Sequence, residues 1–267
     1  MNIKKNIKFI ALDIDGTIMD RNFHISNRVK TAINSASKKG IKVVLATGRM
    51  YIATLPIAKM LQLDTPIIAY HGSLVKDEQK EYIHHTIDRE TALKLASDLR
   101  GFNMQVNVCV NEELFSEKET PQLIKYAKER NLDYKIVKSF ENIKDFCPTK
   151  FTAIKETSEF VSEVTDFLQE KYSDKLYIKK SFPTYCEIIN NKANKANAIL
   201  YLANLWNIDS SEILAAGDQD NDREMLKIAG FSVAMGNAVD EIKAIADYVT
   251  DSVDNDGIAK VIENFLL

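Results

Sequence analysis

The sequence is poor in the residues that mark the non-globular classes. Nine glycines and five prolines in 267 residues rule out collagen-like and low-complexity chains. Three cysteines, Cys109, Cys147 and Cys186, lie far apart with no CxxC spacing. An odd, scattered set excludes a disulfide framework and a zinc site, and reads as buried small apolar residues in a reducing cytoplasm. No apolar run approaches about 18 residues, so no membrane span is expected. Lysines precede an apolar stretch at the start, as in a signal peptide, but Asp13 and Asp15 interrupt it and no small-residue cleavage site follows. There is no basic excess: 35 Lys and Arg stand against 38 Asp and Glu, for a net charge of -3. That excludes the usual nucleic-acid binder but leaves room for a local basic phosphate pocket.

What is present is ordinary for a globular protein of one large or two modest domains: 45% hydrophobic and 27% charged residues. The first 70 residues alternate apolar runs with helical segments. Lys8 to Ile14, Ile41 to Ala46 and Ile67 to Tyr70 read as buried strands. Between them lie a helix capped by Ser26 and stopped by Gly40, and a helix from Arg49 that Pro56 should kink or split. This grammar predicts right-handed βαβ units and a parallel sheet. From about residue 82 the pattern becomes α+β, with short strands such as Tyr82 to Ile87 and Met104 to Val110. An antiparallel sheet with one face open to water is expected there. The buried-strand grammar returns from about 186, with strands at Ile213 to Ala216 and Phe231 to Ala234.

Four places carry chemistry. Asp13-Ile14-Asp15-Gly16-Thr17 ends the first strand, and residues two apart on a strand share a face. Two carboxylates this close need a cation or a shared proton, and Mg²⁺ with its oxygen ligands would supply the first. Leu45-Ala46-Thr47-Gly48-Arg49 ends the second strand; it suits a phosphate oxygen, though such a sequence is as often only a turn. Lys195 follows Asn194, a candidate N-cap, and opposes the helix dipole unless an anion binds there; alone it reads as a surface lysine. Gly217-Asp218-Gln219-Asp220-Asn221-Asp222 gathers three carboxylates and two amides at a strand end, as a metal site or a hydrated acidic loop. Taken in order at the strand ends and helix starts of one parallel sheet, the four make a kit for phosphoryl transfer.

These motifs resemble those of the haloacid dehalogenase superfamily of phosphatases, and the long insertion resembles the cap of its Cof-type branch. The resemblance implies an α/β fold with a Rossmann-like parallel core at 1–82 and 186–267, and an inserted α+β cap at 83–185. It implies Asp13 as the nucleophile that forms an aspartyl phosphate, and Asp15 as general acid and base. Mg²⁺ would be held by Asp13, the backbone carbonyl of Asp15 and Asp218, with Asp222 in support. Thr47, Gly48, Lys195 and Asn221 would hold the phosphate. Gln219 and Ala196 depart from residues common in the family, and His71 stands where Asn usually precedes Gly. Arg49 is a further phosphate or cap contact, weighed against a plain helix-surface residue. Phe182, Thr184 and Tyr185 are candidates for substrate choice. The expected activity is hydrolysis of a small phosphate ester, such as a sugar phosphate, flavin mononucleotide or pyridoxal phosphate, in the cytoplasm, with no nucleic-acid or membrane partner. A phosphosugar mutase and a non-catalytic phosphometabolite sensor are the alternatives.

Overall fold

The computed structural model describes residues 6–267. In chain order the main elements are β1 (Phe9–Leu12), α1 (Asn27–Lys38), β2 (Lys42–Leu45), α2 (Tyr51–Met60), β3 (Ile67–Ala69), β4 (Leu74–Lys76) and β5 (Glu81–His84). There follow α3 (Arg89–Gly101), β6 (Gln105–Val110), β7 (Glu113–Ser116), α4 (Pro121–Arg130), β8 (Tyr134–Ile136), β9 (Lys150–Ile154), α5 (Ser158–Tyr172), β10 (Leu176–Phe182) and β11 (Tyr185–Asn190). The chain closes with α6 (Lys195–Leu205), β12 (Ile213–Gly217), α7 (Arg223–Ile228), β13 (Phe231–Ala234), α8 (Asp240–Lys243), β14 (Tyr248–Val249) and α9 (Gly257–Phe265).

Two compact units result. The first holds the chain up to Arg49, Thr54–Ile83 and Asn194–Leu267; the second holds Met50–Ala53 and His84–Ala193. In the first, five strands in the order β14-β13-β12-β1-β2 form a wholly parallel sheet. β1 is buried at every position, as a parallel strand covered on both faces must be. Apolar residues of the sheet such as Phe9, Ala11, Val44 and Ala215 pack with Ile199 and Leu202 of α6 and Met225 and Leu226 of α7. Helix ends follow local chemistry. Ser26 accepts the Val29 N–H at 3.1 Å to cap α1, and Gly40, at φ +86°, takes the chain out of the helix. Pro56 lies inside α2 without splitting it.

The second unit is built on a six-stranded sheet, β10-β11-β9-β6-β7-β8. Val108, Phe151, Ala153 and Ile188 pack against Leu95 and Leu99 of α3 and Val161 and Leu168 of α5. Three expectations need correction here. The sheet is mixed rather than antiparallel, because β8 runs parallel to β7 through the intervening α4. Its second face is not open to water: Asn107, Lys150 and Thr152 are buried, and α4 brings Tyr126 onto Tyr185 of that face at 6.1 Å between rings. The burial is satisfied electrostatically, since the Lys150 ammonium sits 2.6 Å from Glu187. Finally, Tyr82 to Ile87 does not open this sheet. β5 joins β3 and β4 in a separate three-stranded sheet. At the other end of the insertion, β11 pairs with β9 and β10, so residues 185–190 lie in the second unit's sheet.

Candidate active site

The strand order of the parallel sheet sets the position of the site. From β1 the chain moves to β2 on one side, while β12 lies on the other and leads away to β13. Such a reversal leaves a crevice at the carboxyl ends of the strands, where open α/β sheets bind ligands. The ends are level: Leu12 pairs with both Ala216 and Leu45. The Asp13 N–H donates to the Ala216 carbonyl at 3.0 Å, and the Ala46 N–H to the Leu12 carbonyl at 2.8 Å. Asp13, Thr47 and Asp218 therefore leave three neighbouring strands at one height.

Lys195 is the first residue of α6, whose N-cap Asn194 accepts from the N–H groups of Ala196 and Asn197. Its side chain is buried rather than solvated. The ammonium lies 2.7 Å from Asp13 Oδ1 and 2.7 Å from Asp222 Oδ1. Burial works against this charge, but the carboxylates of Asp13 and Asp222 outweigh it and raise the lysine pKa, so the cation persists. The other oxygen of Asp222 accepts the N–H of Asp218 at 3.0 Å and of Gln219 at 3.2 Å. With both oxygens engaged, Asp222 anchors the acidic loop and Lys195 together.

Asp218 is differently placed. Its Oδ2 accepts from the side-chain amides of Gln219 at 3.1 Å and Asn237 at 3.2 Å, while Oδ1 is buried with no partner. Gly16, at φ +85°, passes so close to Asp218 that any β-carbon there would collide with the carboxylate. One carboxylate oxygen each from Asp13, Asp218 and Asp222 lies within 4.8 Å of the others. Such crowding must show in the titration. Burial and then the Asp222 charge push Asp218 up to about 7. Burial and Asp222 also raise Asp13 well above the usual carboxylate range, against the opposing pull of Lys195. An orphaned buried oxygen among ionisable carboxylates suits a metal ion: a hard cation would satisfy Oδ1 and hold the acids ionised.

Asp15 lies at the more open side, with its side chain 42% exposed. Arg49 grips it with both arms of the guanidinium, Nε to Oδ2 at 2.8 Å and Nη2 to Oδ1 at 2.5 Å. Arg49 is itself buried, so it is not the helix-surface arginine weighed above. Thr47 is buried, and its hydroxyl accepts the Arg49 N–H at 3.1 Å. The Asn221 Oδ1 and the Thr17 hydroxyl are buried without a partner, which gives the same region further unspent hydrogen-bonding capacity. Gly48 lies under the His71 ring. The residues marked in the sequence as catalytic, phosphate or metal candidates all fall within the first unit, whereas the substrate-choice candidates Phe182, Thr184 and Tyr185 fall in the second. Of the three substrate-choice candidates, Tyr185 packs beside Tyr126, Thr184 is partly buried, and the Phe182 side chain is outside the described residues.

Two participants escaped sequence reasoning. One is the Arg49–Asp15 fork. The other is Asn237, whose amide joins Asp218 to the Gly16 carbonyl at 2.9 Å, and whose own oxygen takes the Val253 N–H. Its signal was available: Met235-Gly236-Asn237 follows β13, one more strand ending at the same edge.

The comparisons with known proteins point the same way. The family of haloacid dehalogenase-like hydrolases matches residues 10–262. The phosphatase YwpJ of Bacillus subtilis is 29% identical, with 97% of this chain and 100% of that protein covered. The 5-amino-6-(5-phospho-D-ribitylamino)uracil phosphatase YcsE of Bacillus subtilis is 30% identical, covering 98% of this chain and 97% of that one. A haloacid dehalogenase-like hydrolase from Bacteroides thetaiotaomicron superposes with a TM-score of 0.89 at 26% identity, over 96% of this chain and 98% of that chain. The chain belongs to the haloacid dehalogenase-like hydrolases. Within them it falls in the Cof-type phosphatase branch, with a parallel core sheet and a separate mixed sheet. Its chemistry is that of a phosphatase acting on small phosphate esters. No helix among the described residues is long and apolar enough to cross a membrane.

Proposed function

We propose that this chain is a cytoplasmic, Mg²⁺-dependent phosphomonoester hydrolase that works through an aspartyl phosphate on Asp13. The observation that carries the reading is the buried cluster at the sheet edge, where one lysine bridges Asp13 and Asp222 and Asp218 keeps a free oxygen. In this reading the first unit is the catalytic core and the inserted unit selects the substrate.

A carboxylate oxygen of Asp13 attacks phosphorus as the bond to the ester oxygen breaks. Asp15 gives that leaving oxygen its proton, then takes a proton from the water that attacks the aspartyl phosphate and restores Asp13. The Arg49 fork orients Asp15 for both steps while its partial exposure leaves it open to water. The Thr47 hydroxyl, the backbone at Gly48, the Lys195 ammonium and the Asn221 amide hold the phosphoryl oxygens. Asp13, the Asp15 carbonyl and Asp218 would hold the metal, with Asp222 in support. Bound there, Mg²⁺ would neutralise charge on the phosphoryl group and on the crowded acids.

The substrates proposed are sugar phosphates, flavin mononucleotide and pyridoxal phosphate, joined by phosphorylated ribityl compounds of the kind YcsE is named for. Purified protein with Mg²⁺ should release phosphate from p-nitrophenyl phosphate, and Asp13→Asn should abolish release. Undiminished turnover in that variant overturns the covalent mechanism. A hexose phosphate panel separates hydrolysis from a mutase, which would yield an isomer and little free phosphate.

A further inference from the structure

The turn after β3 has an unusual backbone. Tyr70, His71 and Gly72 all lie in the left-handed region, at φ +48°, +56° and +95°. Two of the three carry side chains, one of them a fully buried tyrosine, and left-handed backbone is costly for such residues. Strain of this kind persists only where the surroundings enforce it.

The hydrogen bonds show what enforces it. The Tyr70 N–H donates to the Arg49 carbonyl at 3.0 Å, and the His71 N–H to the Thr47 carbonyl at 2.9 Å. In an extended strand successive N–H groups point to opposite sides, so both could not reach one loop; left-handed helical backbone puts them on the same side. The two bonds flank Gly48, and the His71 imidazole closes over it: a β-carbon at Gly48 would run into ring atoms Cε1 and Nε2. On its far side the turn meets α6. A β-carbon at Gly72 would stand 2.5 Å from the Asn194 carbonyl oxygen, directly before Lys195. One strained turn thus touches both the Thr47–Arg49 loop and the start of the lysine helix.

We propose that this turn spaces the phosphate-holding groups, with His71 as the positioning residue whose ring presses on Gly48 and fixes Thr47 relative to Lys195. The proposal rests on the reading that Thr47 and Lys195 hold the phosphoryl group. In this proposal the ring acts through the loop beneath it.

The test uses the full chain with Mg²⁺ and p-nitrophenyl phosphate. His71→Asn retains a side chain that tolerates left-handed backbone, so the melting temperature should hold while the ring is lost. The loss is expected in kcat, about tenfold, with KM little changed, because a shifted loop weakens contacts that matter most in the transition state. Gly48→Ala drives a methyl into the ring and should lower kcat about a hundredfold. Combining it with His71→Gly removes the obstruction and should recover about tenfold of that loss. Thr47→Ala separates the two levels of the argument. If Thr47→Ala is impaired while His71→Asn matches the parent, or while the double variant is no better than Gly48→Ala, the positioning role is overturned and the phosphate reading stands. If Thr47→Ala itself is silent, both are overturned.

Discussion

Asp218 ties the site's charge to the protein's stability. Its pKa moves from the ordinary 3.8 to about 7, first through burial and then through Asp222. An acid raised in this way binds its proton more tightly in the folded chain than in the unfolded one. Metal-free protein should therefore lose stability as pH climbs from 3.8 towards about 7, and Asp13, raised for the same reasons, adds in the same direction. Divalent cation should restore the loss most at the upper end of that window, by binding the folded form alone. Thermal melts from pH 4 to 7, with and without Mg²⁺, check this; an equal Mg²⁺ effect at both ends contradicts it. Asp218→Asn should flatten the pH dependence and most of the Mg²⁺ response. Most of these residues were legible from the chain, because each motif sits where an apolar run stops. The Arg49–Asp15 fork and the His71–Gly48 contact were not. They join residues 34 and 23 positions apart through side-chain directions that no local pattern encodes.

Elements carry the next level of control. Asn194 both starts α6 and places Lys195, so under the proposed mechanism its cap is structural and chemical at once. Asn194→Ala should destabilise the protein by about 1 kcal/mol in urea unfolding. It should also lower activity, since the first turn that carries the ammonium is loosened. An unchanged kcat in a destabilised variant would show that packing alone holds Lys195. The element most readable in advance was the one with explicit punctuation, α1 between Ser26 and Gly40. β7 and β11 went unread for physical reasons. Glu113–Ser116 is four residues with no alternation, and Tyr185–Asn190 carries Glu187 in its middle, where its charge is met by Lys150 from another strand. The covered polar face of the six-stranded sheet was hidden by the same pairing.

At the scale of the whole molecule, a net charge of -3 conceals strong local asymmetry. Asp13, Asp15, Asp218 and Asp222 gather at one edge of one sheet from segments some 200 residues apart, answered by Lys195 and Arg49. The broad division into a parallel α/β part and an α+β insertion follows from the changes of pattern near 82 and 186. Pairing then set the limits of the second unit: β5 joined β3 and β4, and the insertion's last strand extends to Asn190. The level strand ends have a further consequence, for which changes of chain length the protein can survive. One residue inserted within β1 would advance Asp13 by about 3.3 Å and turn it to the opposite face. The same holds for β12 and Asp218. An insertion scan should find β1 and β12 silent to apolar replacements of equal size yet dead to any added or deleted residue, whereas the exposed turn around Asp77–Lys80 absorbs both. In heredity, then, the active edge is written less in which apolar letters precede each aspartate than in how many.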